Sequence, residues 1–184
     1  MSLHLQMRTL FFLLTCLFFL KDEIKSQDAP PDFPQRFLGH WKGKISWVVA
    51  GKPTRQFSMQ LKVRERGDSA GLYEWHISYG DSASDERPYL LKPADISKGH
   101  WVIDEANGIV LDEYVFDNCL QGSFTVTNNT IINNYCVENG KMKVEFFTIK
   151  LGDKNTTGKG TEAVPFVDNY RMAGYQHGIL EKVN

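Results

Sequence analysis

The stretch Arg55 to Arg66, RQFSMQLKVRER, carries Phe57, Met59, Leu61 and Val63 at every second position, with Gln56, Ser58, Gln60, Lys62 and Arg64 between them. A period of two is that of a β-strand, whose successive side chains point to opposite faces, so this run predicts a strand with one apolar and one wet face. Leu72 to Tyr79 repeats the pattern, with Tyr73, Trp75, Ile77 and Tyr79 on one side and Glu74, His76 and Ser78 on the other. No long stretch has the 3.6-residue period of an amphipathic helix.

Outward from these two runs the chain continues as short β-type segments separated by turn residues. Trp101 to Ala106 and Ile109 to Phe116 flank Asn107-Gly108, a dipeptide suited to the positive φ angles of a two-residue type I′ hairpin. Cys119 to Val126, Ile131 to Val137 and Met142 to Leu151 follow, with turns at Asn128-Asn129 and Asn139-Gly140. His40 to Ala50, a short strand at Tyr89 to Leu91 and a final strand at Tyr175 to Val183 bring the expectation to about eight to ten strands. Such spacing fits a sandwich or a barrel, and consecutive tight hairpins favour an up-and-down antiparallel β-barrel, which has no free edges and encloses a cavity. Asp153 to Gly160 reads as a loop, and Glu162 to Gly174 has no decided pattern.

Bulk properties bound the function. A length of 184 residues is room for one core, and 42% apolar with 23% charged residues is ordinary for a folded domain. The 21 Lys+Arg and 22 Asp+Glu are scattered, so there is no concentrated positive field for nucleic acid. Leu10 to Leu20, LFFLLTCLFFL, behind Arg8, reads as the apolar core of a signal peptide over residues 1–27, cleaved near Ser26 or Gln27. Its 11 residues fall short of the roughly 20 a helical span needs, so an exported protein without an integral membrane span is expected, secreted or periplasmic. Residues 28–36, with three prolines in Asp28 to Pro34, are an extended lead-in, and 37–184 the barrel domain.

In an oxidising compartment Cys119 and Cys136 are a candidate disulfide. A turn centred on Thr127-Asn128 would set them directly across a hairpin; the alternative is two buried thiols in a slipped register. The histidines are isolated, and the acids Asp104, Glu105, Asp112 and Glu113 around Asn107-Gly108 do not converge, so they read as solvated strand ends and no metal site is expected. Nucleophile-elbow and Walker-type motifs are absent from the sequence, and binding rather than catalysis is expected. Asn128 and Asn155 head Asn-x-Thr triplets read here as turn chemistry. If the more apolar strand faces turn inward, Trp47, Phe57, Met59, Tyr73, Trp75, Tyr79, Tyr114, Phe124 and Phe146 line a site for a small hydrophobic, lipid-like ligand, or else are ordinary core.

Asp32-Phe33-Pro34-Gln35-Arg36-Phe37-Leu38-Gly39-His40-Trp41 resembles the opening signature of the lipocalins, within the calycin superfamily. The resemblance implies a chain that crosses the closed end of a barrel, with Gly39 allowing close backbone approach, Trp41 plugging the floor, and Arg171 as the late arginine over it. Phe37 to Gly43 also resembles the start of the nitrobindin-type haem barrels, whose late Met-Ala pair and histidine are similar to Met172-Ala173 and His177. That second resemblance implies His177 as a haem ligand; without it, no cofactor is expected. A solid-cored module binding protein or glycan is the third reading.

Overall fold

A computed structural model of the chain describes residues 33–80 and 85–183; the signal-peptide reading lies outside them. The elements are β1 (Gly39–Val48), β2 (Arg55–Glu65), β3 (Tyr73–Tyr79), β4 (Asp85–Asp95), β5 (His100–Asp104), β6 (Val110–Phe116), β7 (Cys119–Val126), β8 (Asn129–Glu138), β9 (Lys141–Thr157) and β10 (Val167–Val183). Single 3-10 turns lie at Gln35–Phe37 and Ile96–Lys98. Each strand pairs antiparallel with its sequence neighbours, and β1 pairs with β10, which closes an all-β barrel of ten strands. The up-and-down barrel expected from the hairpins is the fold, at the upper end of the expected strand number.

Alternation decides which side chains enter the barrel. Phe57, Met59, Leu61 and Val63 of β2 and Tyr73, Trp75, Ile77 and Tyr79 of β3 pack inward as read, joined by Trp41 and Ile45 of β1 and Val144 and Met142 of β9. Glycine is used where strands press together: a Cβ on Gly178 would lie 2.3 Å from the Lys44 carbonyl oxygen. Cys119 and Cys136 are direct partners in the β7–β8 ladder, with Thr127-Asn128 at the turn and the two sulfurs bonded at 2.12 Å.

One end of the barrel is sealed by rings. The 3-10 turn before β1 inserts Phe37, and Trp41, 1% exposed, donates its indole N–H to the Phe37 carbonyl at 2.7 Å. Phe33 meets Phe37 and Trp101 edge-on, at 5.0 and 4.9 Å between centroids. Lys182, the cross-strand partner of Trp41, sets its ammonium 5.2 Å from the centre of that indole. Gly39 has φ +133°, and a Cβ there would run into the Lys182 side chain at 2.2 Å. These residues close that end of the barrel, and the expectation for the late arginine is corrected. The cation on Trp41 is Lys182, whereas Arg171 is exposed on β10 eleven residues earlier, beside Asp153 at 3.4 Å.

Three further expectations change. The turn between β5 and β6 is longer than a two-residue I′ turn: Asp104 pairs with Val110, Ala106 takes φ 58°, and the Ala106 N–H is held by the Asp104 carboxylate at 2.8 Å. The register moves by one residue, which brings Glu113 opposite Trp101 on the inner face. Glu113 is 0% exposed, not a solvated strand end. Finally, Asp153 to Thr157 continues β9 and Val167 to Gly174 begins β10, so the loop reading gives way to a two-stranded ribbon that extends past the barrel.

Candidate functional site

Among the described residues, the end away from Trp41 is open. There β4 runs five residues, Asp85 to Tyr89, before its first pairing with β5 at Leu90, so the wall has a gap on that side. Pro88 falls inside the gap, where a missing N–H costs the β5 ladder nothing. A recess of about 410 Å³ sits in this mouth, lined by Trp47, Phe57, Tyr79, Phe124, Ile131 and Phe146, with Asp85, Arg87, Thr148 and Gln176 as its polar members. A second recess of about 230 Å³ adjoins it across Trp47 and is lined also by Val49, Lys52, Pro53 and Arg55.

The walls come from the inward parity of eight strands: Trp47, Phe57, Tyr79, Arg87, Phe124, Ile131, Phe146 and Gln176 sit at alternate positions near the open ends of β1 to β4 and β7 to β10. Phe57 meets Tyr79 edge-on at 5.8 Å, and Phe146 meets Tyr135 at 5.7 Å, which ties the rim to the packed floor of Ile45, Met59, Trp75 and Val144. Arg87 lies over the Tyr79 ring at 4.8 Å and grips Asp85 through Nε and Nη2, at 3.1 and 3.0 Å. That fork lowers the Asp85 pKa and raises that of Arg87. Burial pushes the Tyr79 hydroxyl up to about 12, so it remains a neutral donor. Arg55 stands over Trp47 at 5.9 Å.

On the inner face of the β6 to β8 wall lies a buried polar pair. The Asn133 amide donates to both Glu113 oxygens, at 2.8 and 2.9 Å, across Gly122, where a Cβ would sit 2.4 Å from the carboxyl group. Loss of hydration outweighs this bond and pushes the Glu113 pKa up to about 8.

Of the nine residues expected to line a pocket, the structure brings Trp47, Phe57, Tyr79, Phe124 and Phe146 together at the mouth. Met59, Tyr73 and Trp75 lie deeper, in the filled part of the barrel. Tyr114 is on the outer face, 40% exposed and stacked on His100 at 4.7 Å; β6 has apolar residues of both parities, and its inner set is Leu111, Glu113 and Val115. His177 is also outside. Gln176 and Leu180 of the same regular stretch point inward, whereas His177 stacks on Tyr175 at 4.8 Å, whose hydroxyl donates to Glu145 at 2.5 Å. A haem within the barrel would therefore find no ligand in His177, which corrects that implication of the second resemblance. The polar residues of the mouth were not singled out from sequence. Their signal was the alternation Arg87, Tyr89, Leu91, interrupted to the eye by Pro88.

The closed ten-stranded antiparallel barrel fits a calycin-like fold. A solved structure with this fold is a protein of unknown function of the DUF3598 family from Nostoc punctiforme, similar at a TM-score of 0.59 with 11% sequence identity over 80% of this chain. The chain spans about half, 48%, of that protein's length. No family model and no curated protein matches the sequence. Among the described residues no helix is long and apolar enough to cross a membrane, and no group of three or more His, Cys, Asp or Glu could hold a metal ion.

Proposed function

We propose that this chain is an exported, lipocalin-like binding protein that holds a small, largely apolar molecule in the open end of its barrel and does no chemistry on it. The observation that carries this reading is the recess of about 410 Å³ walled by Trp47, Phe57, Tyr79, Phe124, Ile131 and Phe146, at the end opposite the Trp41 floor. Its volume is within the range of small-molecule sites, roughly 300 to 1,000 Å³, and its composition is theirs: rigid apolar walls with a few polar groups that fix orientation. The filled lower barrel confines the ligand to the mouth. Export is supported by the apolar run Leu10 to Leu20 and by the Cys119–Cys136 bond, which persists in oxidising compartments.

Native mass spectrometry of the protein purified from its own host without denaturation tests the reading. A co-purifying small-molecule mass, lost from a Phe146→Ala variant that remains folded, is the expected result. A bare protein mass under gentle conditions, together with no quenching of tryptophan fluorescence by a panel of lipids and sterols, would instead favour a solid-cored interaction module.

A further inference from the structure

We infer that the molecule this mouth selects is an amphipathic anion, its apolar body among the rings and its anionic group at the rim against Arg87 and Arg55. The inference rests on the binding reading above and names the class of ligand. The first support is the charge balance of the two adjoining recesses, which among the described residues are lined by Lys52, Arg55 and Arg87 against the carboxylate of Asp85. Positive charge at the edge of a low-dielectric cleft focuses field and favours an anion there, although the chain as a whole has a net charge of -1.

The second support is how Arg87 is held. A guanidinium has five N–H donors in a fixed plane. The Asp85 fork engages Nε and Nη2, and the Tyr79 ring lies against the guanidinium at 4.8 Å, so the Nη1 group takes no part in the fork. Held by a carboxylate and an aromatic face, Arg87 is oriented before any ligand arrives, which reduces the ordering cost of binding. The third is the geometry of Trp47, which belongs to both recesses and carries Arg55 over its ring at 5.9 Å. A flat body in the larger recess would lie against Trp47 and Arg87 of its lining, with Arg55 in the recess that adjoins it across Trp47. Thr148 and Gln176 supply neutral hydrogen bonds on the β9–β10 side of the same recess.

A matched pair of probes separates the two parts of the proposal: anilinonaphthalene sulfonate, and N-phenylnaphthylamine, which has the same rings without the sulfonate. Both are titrated into the purified protein and into its Arg87→Gln and Arg55→Gln variants, with probe emission and tryptophan quenching as readouts. The expected result is tighter binding of the sulfonate than of the neutral probe by about tenfold or more, the worth of one charge-assisted hydrogen bond. Raised salt should narrow that difference. Arg87→Gln should remove most of it, and a circular dichroism spectrum and denaturant melt matching the wild type show that the variant is folded. If the neutral probe binds as tightly as the sulfonate, or the difference survives both substitutions, the anion inference is overturned and the apolar pocket stands. If neither probe binds, the pocket reading itself falls.

Discussion

Glu113 faces the barrel interior, where its carboxyl oxygens both accept from the Asn133 amide, and burial raises its pKa from the ordinary 4.5 to about 8. The direction of its effect on stability follows from proton counting. Below about pH 4.5 the carboxyl is protonated in both folded and unfolded chains and imposes no charge on the core. Between about 4.5 and about 8 the folded state keeps a proton that the unfolded chain has released, so folding loses stability as pH rises. Above about 8 both forms are ionised and the loss is complete, a few kcal/mol at most. Glu113→Gln keeps the shape and the amide contact without the charge. Denaturant melts across this window should show the wild type weakening with pH and the variant holding level, the variant being the more stable at neutral pH. Parallel profiles for the two proteins would mean that Glu113 is solvated in solution.

At the scale of the element, the β7–β8 hairpin couples a register to a covalent bond. The disulfide spans 17 positions of sequence between residues that the ladder already places opposite each other. Its main effect is then on the unfolded chain, where closing a loop of that size is worth about 3 kcal/mol. A Cys119→Ala, Cys136→Ala double variant should retain the barrel by circular dichroism and lose roughly 2 to 4 kcal/mol in denaturant melts. No loss would show that the hairpin is already restricted in the unfolded ensemble. This register could be read from the chain because β7 and β8 meet at a tight turn, with Thr127 at φ 55°. The β5–β6 register could not. Asn107-Gly108 is a strong hairpin signal, but the Asp104 carboxylate captures the Ala106 N–H and admits one more residue to the turn. That one residue decides that Glu113 shares a face with Trp101. The inner face of β6, and with it the place of Tyr114, is hidden for a related reason: β6 offers Val110, Tyr114 and Phe116 on one parity and Leu111 and Val115 on the other, so hydrophobicity alone does not name the inner face. Where alternation is clean, as in β2 and β3, five to eight residues suffice. Depth along the barrel axis has no such local signal, and the inward rings Trp75 and Tyr79, four residues apart on β3, divide between the packed core and the mouth only once the whole cylinder is assembled.

For the whole molecule, the barrel is graded along its axis. The floor is tied by the Trp41 hydrogen bond, the Phe33, Phe37 and Trp101 rings, and side chains that are fully buried, among them Leu61, Val63, Leu91 and Leu180. The mouth has the β4 gap and a recess in place of packed atoms. Beyond it, β9 pairs with β8 only as far as Lys150 and β10 pairs with β1 only from Tyr175, so the ribbon of 151–157 and 167–174 has an open edge on both sides. A two-stranded ribbon is marginal in water by itself, and local opening follows low burial. Hydrogen exchange should therefore be slowest at amides of the floor, faster around the mouth and fastest in the ribbon. Adding anilinonaphthalene sulfonate at about a hundredfold its dissociation constant should stabilise the folded state by about 2.7 kcal/mol. The gain should be greatest where the ligand contacts the wall, at the open ends of β1, β2, β3, β8 and β9, because opening those segments releases the ligand. Protection confined to the outer aromatic stack of His100, Tyr114 and Phe116 would assign the bound probe to the surface. Ribbon amides as slow as those of the floor would show that those edges are covered in solution, since no other described strand pairs with them.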